Sequence, residues 1–214
     1  MAHALPHHEP SSDAVNRRFR VIHGSGGGPP SAAWQPPISN AQLGLLVFIA
    51  FETMIFVGLV TAYYVLRSAQ LAWPPPDMPR LPIGVTAINT VMLTFSAVTM
   101  RRTVRAGSAA GLRSALVATA VLGVGFLGVQ GSEWVRLIRQ GLTLSSGSYG
   151  SIFYTLIGLH ALHVVGAVVW LLAVLAITQR RGFSPQRHAG VQLCAMYWYF
   201  VCALWLVIFG VVYL

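Results

Sequence analysis

The chain has 214 residues, of which 55% are hydrophobic and 9% charged, and its mean hydropathy is +0.65. Ordinary soluble domains carry roughly 25% charged residues, so a water-soluble globule is excluded. The formal charge is +9, yet all 14 basic residues are arginines in short clusters between apolar runs, the asymmetry that orients membrane proteins and not the mark of a nucleic-acid partner.

Residues 1–40 are polar and broken by Pro6, Pro10, Gly24, Gly26, Gly27, Gly28, Pro29 and Pro30, which predicts a flexible cytoplasmic tail with no core of its own. A cleavable secretory signal is not expected, because the first apolar run begins near residue 42 and is too long for one. Residues 41–214 form a single transmembrane domain. Its apolar runs at 42–66, 83–100, 114–137, 150–177 and 191–214 are each near or above the roughly 20 residues that cross a bilayer as a helix. The predicted fold is all-α, a bundle of five transmembrane helices. Trp73, Pro74, Pro75, Pro76 and Pro79 stiffen the first connector, and Gly107, Gly111, Ser145, Ser146, Gly147, Gly182 and Pro185 punctuate the later ones.

Counting arginines by side sets the orientation. Arg17, Arg18, Arg20, Arg101, Arg102, Arg105, Arg113, Arg180, Arg181 and Arg187 fall on one side, and only Arg67, Arg80, Arg136 and Arg139 on the other. The amino terminus is therefore expected in the cytoplasm and the carboxyl terminus outside. No internal repeat is present, so the inverted-repeat plan of secondary transporters has no support.

Glu52 lies ten positions past Gln42, about 15 Å along a helix and so near the bilayer midplane. An ionised carboxylate at that depth costs at least roughly 2.5 to 3.5 kcal/mol, which leaves two readings: a carboxyl hydrogen-bonded between helices, or a group that holds or passes a proton. His163, on the fourth span, falls at a similar depth and is a candidate partner. With His160 it forms H-x-x-H, two residues about 60° apart on one helix face. That is at most half of a metal site. One turn cannot supply both axial ligands of a haem, and zinc would need two more from Glu52, Glu133 or His188, of which His188 lies at the wrong depth. No metal or other cofactor is expected in this chain.

Gly123, Gly125 and Gly128 spell the dinucleotide fingerprint G-x-G-x-x-G, but inside a membrane span, without a preceding strand, they read as helix-packing positions. Glu133 and Trp134 fall at the outer end of the third span, where the carboxylate can reach water or Arg136, and an interfacial ion pair is the plainest reading. Tyr197, Trp198, Tyr199 and Cys202 form a polar-aromatic stripe in the fifth. Cys194 and Cys202 are eight residues apart, about 12 Å on a helix and beyond disulfide reach. No catalytic centre emerges: there is no Ser/His/Asp arrangement, P-loop or C-x-x-C.

In order and spacing these features resemble subunit III of the haem-copper oxidases, the cytochrome c oxidase family, in its five-helix bacterial form. FIAFETMIFVGLVTAYY around Glu52 is similar to the family's S-E-x-M-F-F-x-G-F-F-x-A-Y, and Trp73-Pro74-Pro75 is followed by Ile88-Asn89-Thr90 and Ser96 as in W-P-P, L-N-T and a serine. Gln130, Glu133 and Trp134 resemble Q-x-x-E-Y, Tyr149-Gly150-Ser151 resembles Y-G-S, and 158–164 resembles G-F-H-G-L-H-V. His188, Gly190, Tyr197-Trp198 and Trp205 fall on the closing H-F-G and Y-W-H-F-V-D-x-x-W pattern. Gln192, Tyr199 and Cys202 stand where that pattern has Glu, His and Asp.

The resemblance implies an accessory subunit of a terminal oxidase in a bacterial inner membrane. Such a subunit stabilises the catalytic subunit I, supports proton uptake, and holds phospholipid in a cleft near Glu52. Haem and copper would belong to partner subunits, with subunit II in the same complex. The neighbouring alternative is the homologous subunit of a quinol oxidase or nitric oxide reductase. A stand-alone proton or ion carrier built on Glu52 and His163 is the alternative from another class.

Overall fold

The computed structural model describes residues 38–76, 78–181 and 185–214. The expected tail lies outside them but for its last few residues, as do the side chains of Arg181, Arg187 and His188. Five helices lie among the described residues: α1 (Asn40–Ser68), α2 (Ile83–Val104), α3 (Ala109–Arg139), α4 (Gly147–Arg181) and α5 (Pro185–Val212). All five are long and apolar enough to cross a membrane, and no strand occurs among the described residues.

The helices overrun the apolar runs at most of their ends, because caps end a helix and hydropathy does not see caps. At the start of α1, the Ser39 hydroxyl accepts from the Gln42 N–H at 3.2 Å while the Gln42 side chain accepts from the Ser39 N–H at 2.9 Å, a capping box that satisfies two orphan donors. Ser108 caps α3 by accepting from Gly111 N–H, which starts that helix before its apolar stretch. At the far end of α3 the chain turns at Gly141, whose φ of +93° is open to glycine at little cost. Gly141 N–H donates to Ile138 C=O and Leu142 N–H to Leu137 C=O, both at 3.0 Å, and the buried Leu137 and Leu142 close this Schellman turn.

Among the described residues α3 packs on α2 and α4, α5 packs on α4, α2 and α1, and α1 touches only α4 and α5. Within α1 only Phe56 and Tyr63 are buried, whereas Phe51, Met54, Val57 and Val65 stand exposed. The densest packing lies between α2, α3, α4 and α5, where Phe126 meets Trp205 edge to face at 5.0 Å. Gly123 admits Trp198 to the α3 backbone: a Cβ there would meet the ring at 2.5 Å. The other glycines of the apparent fingerprint do less, since a Cβ at Gly125 would make ordinary contact with Met92 at 3.5 Å and one at Gly128 would meet nothing within 4 Å.

Described arginines line cavities at both ends of the bundle. Arg101 and Arg105 share a cavity with Gln42 and Gln192, and Arg113 shares one with Thr178 and Gln179. Arg67 and Arg80 meet at a cavity at the opposite end.

Gly123→Val forces Trp198 or the α2–α5 contact to move and is expected to lower unfolding stability by about 1–3 kcal/mol. Gly128→Ala is expected to leave it unchanged or raise it slightly. Thermal or denaturant unfolding in detergent micelles checks both.

Candidate functional site

Glu52 projects from α1 and His163 from α4, and they meet with Oε2 2.6 Å from Nε2. Their side chains are only 15% and 11% exposed, and Phe56, one turn beyond Glu52, covers the imidazole edge on at a centroid distance of 5.3 Å. The other ring nitrogen, Nδ1, lies 2.7 Å from the Leu159 carbonyl. A carbonyl only accepts, so Nδ1 carries a proton and donates it, which assigns the tautomer by its partner. Nε2 and the carboxyl then share one further proton: either the carboxyl holds it and donates to a bare Nε2, or the imidazolium holds it and donates to a carboxylate. Both forms have the same net charge, zero.

His160 does not join this pair. The 60° between the two histidines gives them different neighbours, and His160 turns inward, 1% exposed, to stack on Trp205 at 5.0 Å and 28°. Neither of its ring nitrogens has a hydrogen-bond partner among the described residues. Among those residues no three His, Cys, Asp or Glu side chains group as a metal site would require.

The last-helix residues divide over several faces, because successive residues on a helix turn by 100°. Tyr197 packs against Phe48 of α1 and Trp170 of α4. Trp198 donates Nε1–H to Ser96 Oγ at 3.1 Å, and Cys202, one turn on, lies 3.9 Å from the same hydroxyl. Tyr199 faces the cavity of Arg101 and Arg105. At the other end, Glu133 is 3.8 Å from Arg136 and, at 9% exposure, is more buried than an interfacial carboxylate need be.

A second polar system, on α2, carries residues whose contacts the sequence does not announce. Asn89 donates to Phe126 C=O at 3.2 Å and to Gln130 Oε1 at 3.4 Å, and Gln130 donates to Tyr213 OH at 3.4 Å. Trp205 Nε1–H donates to Thr90 Oγ1 at 2.9 Å, and the Thr99 and Thr119 hydroxyls meet at 2.8 Å. The signal was the spacing of Thr86, Asn89, Thr90, Ser96, Thr99 and Thr103, which repeats at helical intervals along one face.

Five spans, a buried carboxyl–imidazole pair between two of them and a polar seam on a third define a polytopic α-helical membrane protein. Residues 35–214 match the family model for cytochrome c oxidase subunit III. The chain is 37% identical over 177 residues to a cytochrome c oxidase subunit 3 of a Synechocystis species, covering 81% of this chain and 75% of that protein. It is 31% identical over 175 residues to a probable cytochrome c oxidase subunit 3 of Nocardia farcinica, covering 80% and 86%. It is 30% identical over 175 residues to a quinol oxidase subunit 3 of Bacillus subtilis, covering 80% and 85%. The chain belongs to the cytochrome c oxidase subunit III family.

A double-mutant cycle of Glu52→Ala and His163→Ala is expected to show coupling of about 0.5–3 kcal/mol, because each single change leaves the other buried group without its partner. Unfolding in mixed micelles reads the four stabilities, and strict additivity would show that the 2.6 Å contact contributes nothing.

Proposed function

We propose that this chain is the accessory subunit III of a haem-copper terminal oxidase in a bacterial inner membrane, without a redox centre of its own, bound to the catalytic subunit I. The Glu52–His163 contact carries the proposal. It stores a proton near mid-span at no net charge, which is what a subunit that sustains proton delivery to a neighbour needs. Membership in a family of oxidase subunits supports a complex with other oxidase subunits, where subunit II also resides and where haem and copper perform the electron transfer. The exposed apolar faces of α1 and α2, including Phe51, Met54, Ile88 and Val91, supply contact area for subunit I and for phospholipid beside Glu52. In lipid, close packing and not hydrophobic drive makes such contacts.

A quinol oxidase is the second reading. The observation favouring it is that quinol oxidase subunits 3 match this chain over the same share of its length as the cytochrome c oxidase subunits do.

Two residues of like shape separate hydrogen bonding from proton storage. Gln at position 52 still donates to Nε2 but has no proton to release, whereas Ala removes both functions. In the purified oxidase complex, Glu52→Ala is expected to start at the normal oxygen-consumption rate and to inactivate faster over many turnovers, with Glu52→Gln between it and the native subunit. Identical inactivation curves for all three would remove the protective role.

The proposed orientation has the amino terminus in the cytoplasm, from the ten-to-four division of arginines. Alkaline phosphatase fused after Leu214 is expected to be active, and a reporter active there only in the cytoplasm would reverse the topology.

A further inference from the structure

One side of α5 is left open by its neighbours. Tyr197 faces Phe48 of α1, Trp198 and Cys202 face Ser96 of α2, and α1 and α2 do not touch each other. Between these two directions α5 presents Gln192, Met196, Tyr199, Ala203, Leu206 and Gly210, which follow one another at alternating helical steps and form one stripe, exposed from Tyr199 onward. The stripe is the floor of a groove walled by α1 on one side and α2 on the other. Where it reaches the arginine-rich end, the groove opens into a cavity of about 350 Å³ lined by Gln42 of α1, Arg101 and Arg105 of α2, and Gln192 and Tyr199 of α5.

That cavity gathers two guanidiniums, two carboxamides and a phenol, all able to donate to one carboxylate, and its lining holds no acid. The helices of this chain supply none. Of the five acidic residues, Glu52 is engaged with His163 near mid-span, Glu133 lies at the opposite end beside Arg136, Asp77 falls in the connector that precedes α2, and Glu9 and Asp13 belong to residues 1–37. Arginine at one end is expected of a membrane protein, but that bias does not account for donors converging from three helices on one concavity. A second copy of the chain would bring the same arginines and no acid at their level. A headgroup alone would fill the cavity and leave the groove leading out of it without a use for its small residues. Ala203 and Gly210 are exposed, and a Cβ at Gly210 would meet nothing within 4 Å, which is the surface that lets another helix backbone come close. The charge calls for a carboxylate and the groove for a helix.

We propose that the groove between α1 and α2 seats one transmembrane helix of the haem-carrying partner subunit, and that this helix bears an aspartate or glutamate which Arg101 and Arg105 grip. The inference rests on the oxidase-subunit reading and adds to it a face, a charge and a register. The guanidinium pair sets the depth of the incoming helix, because a carboxylate accepts paired N–H groups in a fixed geometry. The Gln42 and Gln192 amides and the Tyr199 hydroxyl donate to its remaining lone pairs. Backbone approach along Ala203 and Gly210 then supplies the close packing on which helix association in lipid depends.

The test uses the intact complex, purified in mild detergent through a tag on this chain, with the haem spectrum showing which subunits come with it. With p-benzoyl-phenylalanine in place of Leu206, illumination is expected to join the groove to one helix of the haem-carrying subunit. Mass spectrometry of the joined peptides is expected to find an acid on that helix about 15 Å, or roughly ten residues, toward the arginine-rich end. Arg101→Gln with Arg105→Gln is expected to weaken retention of the chain on dilution about tenfold. Arg101→Glu with Arg105→Glu is expected to abolish retention until that acid is changed to arginine, which restores it and shows that the variant is folded. A cross-link from position 206 that lands only on lipid, on residues 1–37 or on a second copy overturns the proposal, as does a joined helix without an acid at that level or unchanged retention in the double glutamine variant. Each of these leaves the oxidase reading standing, because the haem-carrying subunit still accompanies the chain. A native chain that brings down no haem-carrying subunit overturns that reading and this inference with it.

Discussion

The structure depends on how α2 disposes of its polar groups in a medium without water. Apolar burial gives no drive for helix association in lipid, so contact must come from close packing and from polar groups that find partners across helices. α2 supplies both. Its hydroxyls at Thr86, Thr90, Ser96, Thr99 and Thr103 bond to carbonyls of their own helix, which leaves each oxygen able to accept from a neighbour. Trp205 and Trp198 of α5 use that capacity at Thr90 and Ser96, and Asn89 and Thr99 tie α3 to the same face. The indole rings are large, so each such bond also fixes a wide apolar surface, and Gly123 makes room for one of them.

α1 lies outside this seam and is held in another manner. It reaches the rest of the chain through Phe48 against Tyr197 of α5, through the Glu52–His163 contact, through Phe56, and at its far end through Tyr63, whose hydroxyl accepts from Trp73 Nε1–H at 3.0 Å. Trp73 in turn meets Tyr149 of α4 edge to face at 5.0 Å. The stiff proline connector thus clasps α1 to α4 at one level, and the carboxyl–imidazole pair does so at another. Most of the α1 surface remains uncovered by the chain's own helices, in keeping with a helix that meets a partner or lipid.

Much of this was legible from composition and depth. Five apolar runs gave five helices in order, and the distances along them brought Glu52 and His163 to one level, because rise per residue is a fixed quantity. What depth does not give is azimuth. The neighbours of a side chain depend on which helices lie beside it, and that is a property of the whole bundle. His160 and His163 share a nominal face yet meet Trp205 and Glu52, and three consecutive residues, Tyr197, Trp198 and Tyr199, meet different sets of neighbours. For the same reason, the hydroxyl series on α2 was visible as a periodic pattern while its indole partners on α5 were not. The helix ends were hidden for a different reason: a capping box or a Schellman turn is written in polar and glycine residues that a hydropathy profile discards.

The anchoring of His163 to its own helix has a mechanical corollary. With Nδ1 tied to the Leu159 carbonyl one turn back, the imidazole cannot swing to follow Glu52, so it behaves as a rigid extension of the α4 backbone. The length of the Glu52–His163 hydrogen bond is then set by the separation of α1 and α4 themselves. Separating those helices by even an ångström takes Oε2 and Nε2 from 2.6 Å beyond hydrogen-bonding distance. Helix spacing and the length of the carboxyl–imidazole bond are in this sense one coordinate, and the firmness with which α1 is clasped acts as its spring.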